Sequence, residues 1–325
     1  PDPTPDPTPD PTPDPVTSAP VATPTLSYME SMVVAGVDDT LWTTVTTDQT
    51  YVKPVVVCTV KYGATNTLAP AVVRMQAAGS NSFQIRLQNP GDLASTGNRD
   101  VHCMVMEEGV WVLPDGVHYA EAKTYTSTRT DENGGSNLLG ESQVLENTAV
   151  SYNVFLGQVM TSNDAGWSVF WSRGSSRGAP ATSTNFRPGK HVGEDVSSPT
   201  RVPETVGYIA MQAFSGSVAG IKMESKRGGD TVRGYQNGAF TYSFPTNFFD
   251  SGPPAVTVAS QAAMDGRDGS WAILRSDATS GGMSLSVDED QLNGGERGHT
   301  TEQVDYVAFE SAGSFQLVPP SDTTA

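Results

Sequence analysis

The strongest constraint on this chain is that its sequence repeats in order. A first segment carrying a glutamate occurs as "SYMESMVVAG" with Glu30, "VHYAEAKTYT" with Glu121 and "GIKMESKRGG" with Glu224. An apolar segment follows each time: "VKPVVVCTV", "SYNVFLGQVM" and "GPPAVTVASQ". Two further alternating segments lead to a closing one: "RDVHCMVMEEG", "ETVGYIAMQAFSG" and "EQVDYVAFESAG". The repeated glutamate recurs about every one hundred residues, the size of a small two-sheet sandwich. The pattern predicts an all-β chain of three tandem antiparallel β-sandwich domains at 27–116, 117–219 and 220–319. An extended tail occupies 1–26 and a short C-terminal tail 320–325.

Within the closing segments Val101, Cys103 and Val105, or Val304, Tyr306 and Ala308, alternate with other residues, as in a strand with one buried face. The run "PVVV" is apolar on both faces and belongs mid-sheet or at a contact between domains. No Gly/Ser tether separates the copies, so they are expected in fixed mutual orientation, either as a rod or as a pseudo-threefold cluster.

Composition agrees and excludes several functions. With 32 Gly, 23 Pro and abundant Ser, Thr and Val, short strands joined by turns are favoured over helices. A net charge of −17 repels nucleic-acid phosphates, so no nucleic-acid partner is expected. No apolar window reaches the ~18 residues of a membrane helix, and no charged-then-apolar leader opens the chain. A chain beginning at Pro1 rather than Met is expected to have lost a leader or upstream region. The two cysteines, Cys58 and Cys103, fall in one repeat on predicted strands; they make a single disulfide or remain buried thiols.

Trp42, Val45, Tyr51, Pro54 to Val57, Phe83 and the Val101 strand, with "GHTTEQVDYVAFESAG" in the third copy, resemble the H-type lectin family. The resemblance covers about 27–312. It implies a six-stranded antiparallel sandwich that associates in threes and binds a sugar near subunit contacts. It also implies a sugar-contacting histidine just before the closing strand, a position held here by His299 and by no histidine in the other two copies.

Catalytic signatures are missing from the sequence. His102, His118, His191 and His299 show no metal-binding or triad spacing, and no phosphate-binding glycine loop occurs. No enzyme is expected. The turns "DENGG", "DGRDGS" and "DEDQLNGGE" are solvated turns or weak Ca²⁺ loops, with Asp265 and Asp268 as candidates; no other cofactor is expected. The five tryptophans serve packing or a sugar-stacking platform. No Asn-x-Ser/Thr sequon exists, whereas Thr4, Thr8 and Thr12, flanked by prolines, suit O-glycosylation of a polyproline II tail or an unmodified spacer.

Two functions fit. One is an extracellular structural protein, a subunit of a filament, appendage or surface layer, whose partners are copies of itself. There the tail packs between subunits, and "VTSAPVATPTL" or the C-terminal "GSFQLVPPSDTTA" covers a neighbour's sheet edge. The alternative is a carbohydrate-binding adhesion module of a surface protein, with glycans as partners.

Overall fold

A computed structural model describes residues 26–63, 68–91, 94–132, 138–195 and 199–321. Strands dominate it, and one short 3-10 turn spans Tyr235–Asn237. The first stretch gives β1 (Ser27–Val37), β2 (Thr43–Thr46), β3 (Pro54–Lys61), β4 (Val72–Gln76), β5 (Ser82–Gln88) and β6 (Arg99–Glu107). After β7 (Gly109–Val112) come β8 (Tyr119–Ser127), β9 (Thr130–Asp131), β10 (Val154–Val159), β11 (Val169–Arg173), β12 (Arg187–His191) and β13 (Glu204–Met211). After β14 (Phe214–Val218) come β15 (Ile221–Arg227), β16 (Phe240–Ser243), β17 (Val256–Gln261), β18 (Trp271–Leu274), β19 (Gly282–Asp288), β20 (Val304–Phe309) and β21 (Gly313–Leu317).

One pairing scheme recurs. The orders β3-β6-β1, β10-β13-β8 and β17-β20-β15 are the same arrangement, and β2-β5-β4, β9-β12-β11 and β16-β19-β18 share one strand order, although the two-residue β9 pairs parallel with β12 where β2 and β16 pair antiparallel. Register fixes the equivalences: Glu30 faces Val105, Glu121 faces Ala210 and Glu224 faces Ala308. In the first two stretches the repeated glutamate is a structural device. Buried Glu30 accepts the Asp48 and Gln49 amides and the Tyr51 hydroxyl, and buried Glu121 accepts the Glu146 and Asn147 amides. Each carboxylate thereby satisfies turn amides that would otherwise be orphaned, a charge-assisted role no neutral side chain fills as well. Glu224 lies beside Lys226, with 3.9 Å between charged atoms.

The strands between stretches close the arrangement. β7 adds to β8, β14 adds to β15, and β21 returns to pair antiparallel with β1, Leu317 opposite Ser27 and Gly313 opposite Ser31. The C-terminal segment expected to cover a neighbouring chain's edge therefore covers β1 of its own chain. A single parallel bridge, Leu274 to Lys61, also fuses β16-β19-β18 to β3 in a seven-stranded sheet. Among the described residues no helix is long and apolar enough to cross a membrane. The tail at 1–25, with Thr4, Thr8 and Thr12, and residues 322–325 lie outside the described residues.

The closing strands differ from expectation in being buried on both faces, as β13 and β20 show along almost their whole length. On one face Tyr208 and Ala210, or Tyr306 and Ala308, fill separate clusters. On the other face Met104, Ile209 and Val307 join Val57, Leu156 and Val258 in one continuous core. These strands are therefore covered on both faces, and the period-two signal of a half-exposed strand is lost.

Candidate functional site

The three stretches are tied together by side chains that cap the edges of β10 and β17. His102 accepts the Thr257 amide at 3.0 Å, and the equivalent Asp305 accepts the Phe155 amide at 2.7 Å. The third equivalent is Gly207, where a Cβ would lie 2.2 Å from Met160 Sδ and 3.0 Å from Val55 Cγ1. One turn further in, Thr59 Oγ1 accepts the Ala259 amide and donates to the Ala259 carbonyl, while Ser260 Oγ accepts the Gly157 amide. Gln158 Nε2 completes the circuit by donating to the Val73 carbonyl. Edge amides that could recruit another chain are thus used internally. Arg74, 1% exposed, adds a clamp by donating to the Gly166 and Asp164 carbonyls and to Ser162.

Cys58 and Cys103 face each other on β3 and β6 and are joined by a disulfide. Of the tryptophans, Trp167, Trp171 and Trp271 are buried, and the Trp167 and Trp271 rings meet edge to face at 5.7 Å.

His299 is buried. Its side chain is 1% exposed, Nε2 lies 2.7 Å from Glu302 Oε1, and Nδ1 contacts Glu289 Oε1. Glu302 is itself fixed by the Asp265 and Gly266 amides at 2.9 Å. Burial pulls the His299 pKa down, but the two carboxylate bonds outweigh it and hold it at about 9. Burial pushes Glu289 up to about 7 and Asp290 up to about 6. Of the Ca²⁺ candidates, Asp268 is half-buried beside this cluster, whereas Asp265 is exposed, with its pKa raised by partial burial and by Glu302.

His102 and His191 are neutral rings with defined tautomers. Each Nδ1 accepts an amide, from Thr257 and Gly193 respectively, and His191 Nε2 donates to the Ser270 carbonyl. Burial drives their pKa values down to about 4 and about 3. In the unfolded chain both rings protonate near pH 6.5, so the unfolded state binds more protons from there down to the folded values. Stability therefore falls with pH through that interval, by roughly 3 kcal/mol or more per ring at its acid end. Glu289 and Asp290 act oppositely, because their raised values let the fold take up protons first, and this offsets part of the loss above about pH 4.5. The net decline is expected below that pH. Ring signals of His102 and His191 that stayed neutral at pH 5 in an NMR titration would agree; titration near pH 6.5 would not.

A second site is an open cleft of about 610 Å³ between the end of β5 and the neighbouring stretch, lined by Asp39, Thr40, Arg86, Gln88, Asn89 and Ser95 and closed by Ala165. Asp39 follows β1 in the loop before β2, and its carboxylate is held by the Thr96 amide at 2.7 Å and Ser95 Oγ at 3.2 Å. Arg86 stacks its guanidinium 4.9 Å from the centre of the Trp42 ring, and its buried Nε makes no hydrogen bond. Asn89 makes no side-chain hydrogen bond among the described residues. A fixed acceptor, two free planar donor groups and an aromatic ring beside them suit a small polyhydroxylated ligand.

Sequence reasoning reached Trp42 but not Asp39, Arg86 or Asn89. The only available signal was the "VDDTLW" turn, which reads equally well as a solvated loop. No family model, curated protein or solved structure matches the chain.

Proposed function

We propose that the chain is a non-enzymatic, extracellular adhesion head that binds carbohydrate. In this reading the stretches 27–116, 117–219 and 220–319 are tandem H-type-lectin-like sandwiches forming one pseudo-trimer, and residues 1–26 are a polyproline II spacer, O-glycosylated at Thr4, Thr8 and Thr12. The observation that carries it is the cleft of Asp39, Arg86 and Asn89. There an immobilised carboxylate can accept from sugar hydroxyls while Arg86 and Asn89 donate to ring or hydroxyl oxygens. The strand order that recurs in three stretches sharing one core supports it, because threefold association is what the resemblance implies. The disulfide supports an oxidising, extracellular setting. His299 takes no part in sugar contact in this reading, since both ring nitrogens are engaged inside the fold.

A glycan array with the full chain, followed by titration of the best sugar, tests the proposal. Asp39→Ala is expected to weaken binding about 10- to 100-fold, the worth of one or two hydrogen bonds to a charged group, with unchanged thermal stability. His299→Ala should act through stability alone. Absence of any saturable sugar binding, or binding indifferent to both Asp39→Ala and Arg86→Ala, would refute it.

A structural role is the second reading, favoured by the sheet ends. β14 ends its sheet with an outer edge to which copies of the chain can add in a filament or surface layer, whereas β7 and the end of β21 are bridged to each other between Val112 and Val318. Electron microscopy at high concentration separates the readings, since dispersed monomers would sink the filament.

A further inference from the structure

We propose that the carbohydrate site runs on into a second subsite that selects an acidic sugar, one bearing a carboxylate or a sulfate ester. The inference rests on the carbohydrate reading above and names the class of glycan that the same site takes. The cleft of Asp39, Arg86 and Asn89 does not end at its own rim. Ala94 lines it and also lines a neighbouring cleft of about 280 Å³, whose other walls include Ala69, Tyr235, Gln236, Gln291 and Arg297. Together the two hollows have room for more than one sugar ring.

Charge is spread unevenly along them. Asp39, held by the Thr96 amide and Ser95, belongs to the first cleft. In the second, the Arg297 guanidinium lies 3.8 Å from the centre of the Tyr235 ring and 5.9 Å from that of Tyr62. Arg99 lies 4.0 Å over Tyr62, and Arg275 lies 4.1 Å over Tyr235. All three arginines are buried, and buried Asp288 pairs with Arg297 through both carboxylate oxygens. Stacking and pairing fix the plane of Arg297 in advance of any ligand. Each of its terminal nitrogens carries two N–H groups, and the bonds to Asp288 and to the Leu68 carbonyl use one of each.

Two features beyond shape point to a ligand of this class. The first is uncompensated charge behind the second cleft. Arg99, 4% exposed, bonds only the Thr96 and Ala69 carbonyls, and its Nη1 is buried without an acceptor. A buried guanidinium that faces carbonyls alone keeps its full charge, and an anion bound nearby lowers the cost of burying it. The second is Asn89, 4% exposed on the wall of the first cleft, whose side-chain amide has no partner among the described residues. A buried amide of this kind is costly until a ligand satisfies it. The charges also set the orientation. Asp39 accepts hydroxyls and repels anions, so a neutral ring belongs in the first cleft and the acidic one in the second, against Arg297. Carboxylate and sulfate oxygens both match the planar donor edge of a guanidinium.

The test titrates the full chain by calorimetry with oligosaccharides in matched neutral, uronic acid and O-sulfated forms. At low salt an acidic form is expected to bind at least about tenfold more tightly than its neutral parent, a preference that fades as salt is raised. Gln236 is exposed, and its backbone amide bonds the Arg297 carbonyl. Gln236→Glu therefore places a carboxylate beside Arg297 without touching the core and should erase the preference, whereas Gln236→Lys should increase it. Arg297→Gln should erase it too, and Gln236→Glu decides the matter if Arg297→Gln does not fold. Preference for either acidic form supports the proposal, and the two arms tell which anion the subsite takes. Neutral and acidic forms that bind alike would overturn the inference and leave the carbohydrate reading standing, as would a preference unmoved by Gln236→Glu. No saturable binding of any form would overturn both.

Discussion

Asp305→Ala should destabilise the fold by about 3–5 kcal/mol, measured by urea unfolding. Asp305 is fully buried on β20, and its carboxylate accepts Arg227 Nε at 2.7 Å, Arg227 Nη2 at 2.8 Å and the Phe155 amide at 2.7 Å. Truncation leaves a largely buried guanidinium and an edge amide without their acceptor in one step. The cost is that of stranded charge and donor rather than of lost attraction, because forming a buried pair is itself nearly neutral. Asp305→Asn keeps an acceptor and should cost less. A loss under 1 kcal/mol for Asp305→Ala would show that the fold does not depend on this cap.

Removing the Cys58–Cys103 disulfide, by reduction or by paired alanine substitution, should cost about 4 kcal/mol for a closed loop of 45 residues on the chain-entropy model. In a chain of this size that corresponds to a thermal midpoint lower by roughly 5–10 °C. The effect arises mainly in the unfolded chain, where the bridge forbids extended states. The folded sheet keeps its β3–β6 ladder without it. Cys58 lines a cavity of about 50 Å³ together with Thr59, Gln158 and Ser260, so loosening there would reach all three stretches. An unchanged midpoint under reductant, with free thiols verified, would refute the estimate.

Much of the strand pattern was legible because it is local. "SFQIRLQ" alternates and forms β5 with alternate buried residues, and "PVVV" forms the start of β3, apolar on both faces. The closing strands were read as half-exposed, because alternation in "DVHCMV" marks one apolar face and cannot say what covers the other. Here the second face meets a shared core. The cleft was less legible. Asp39, Arg86 and Asn89 come from two loops and a strand, and each alone reads as a surface residue. His299 was singled out for its position before the closing strand, but its burial between Glu289 and Glu302 depends on how three turns fold together.

The sequence alone determined an acidic, β-rich chain in which one strand pattern occurs three times, since charge, turn residues and side-chain alternation act over short distances. It left open whether the copies string out or close up. Only the tertiary structure shows the pairing of β21 with β1 and the hydrogen bonds that His102, Asp305, Thr59, Ser260 and Gln158 make to distant strands. The β1–β21 pairing is an agreement between residues nearly three hundred positions apart, and a local pattern carries no information about which distant edge it will meet.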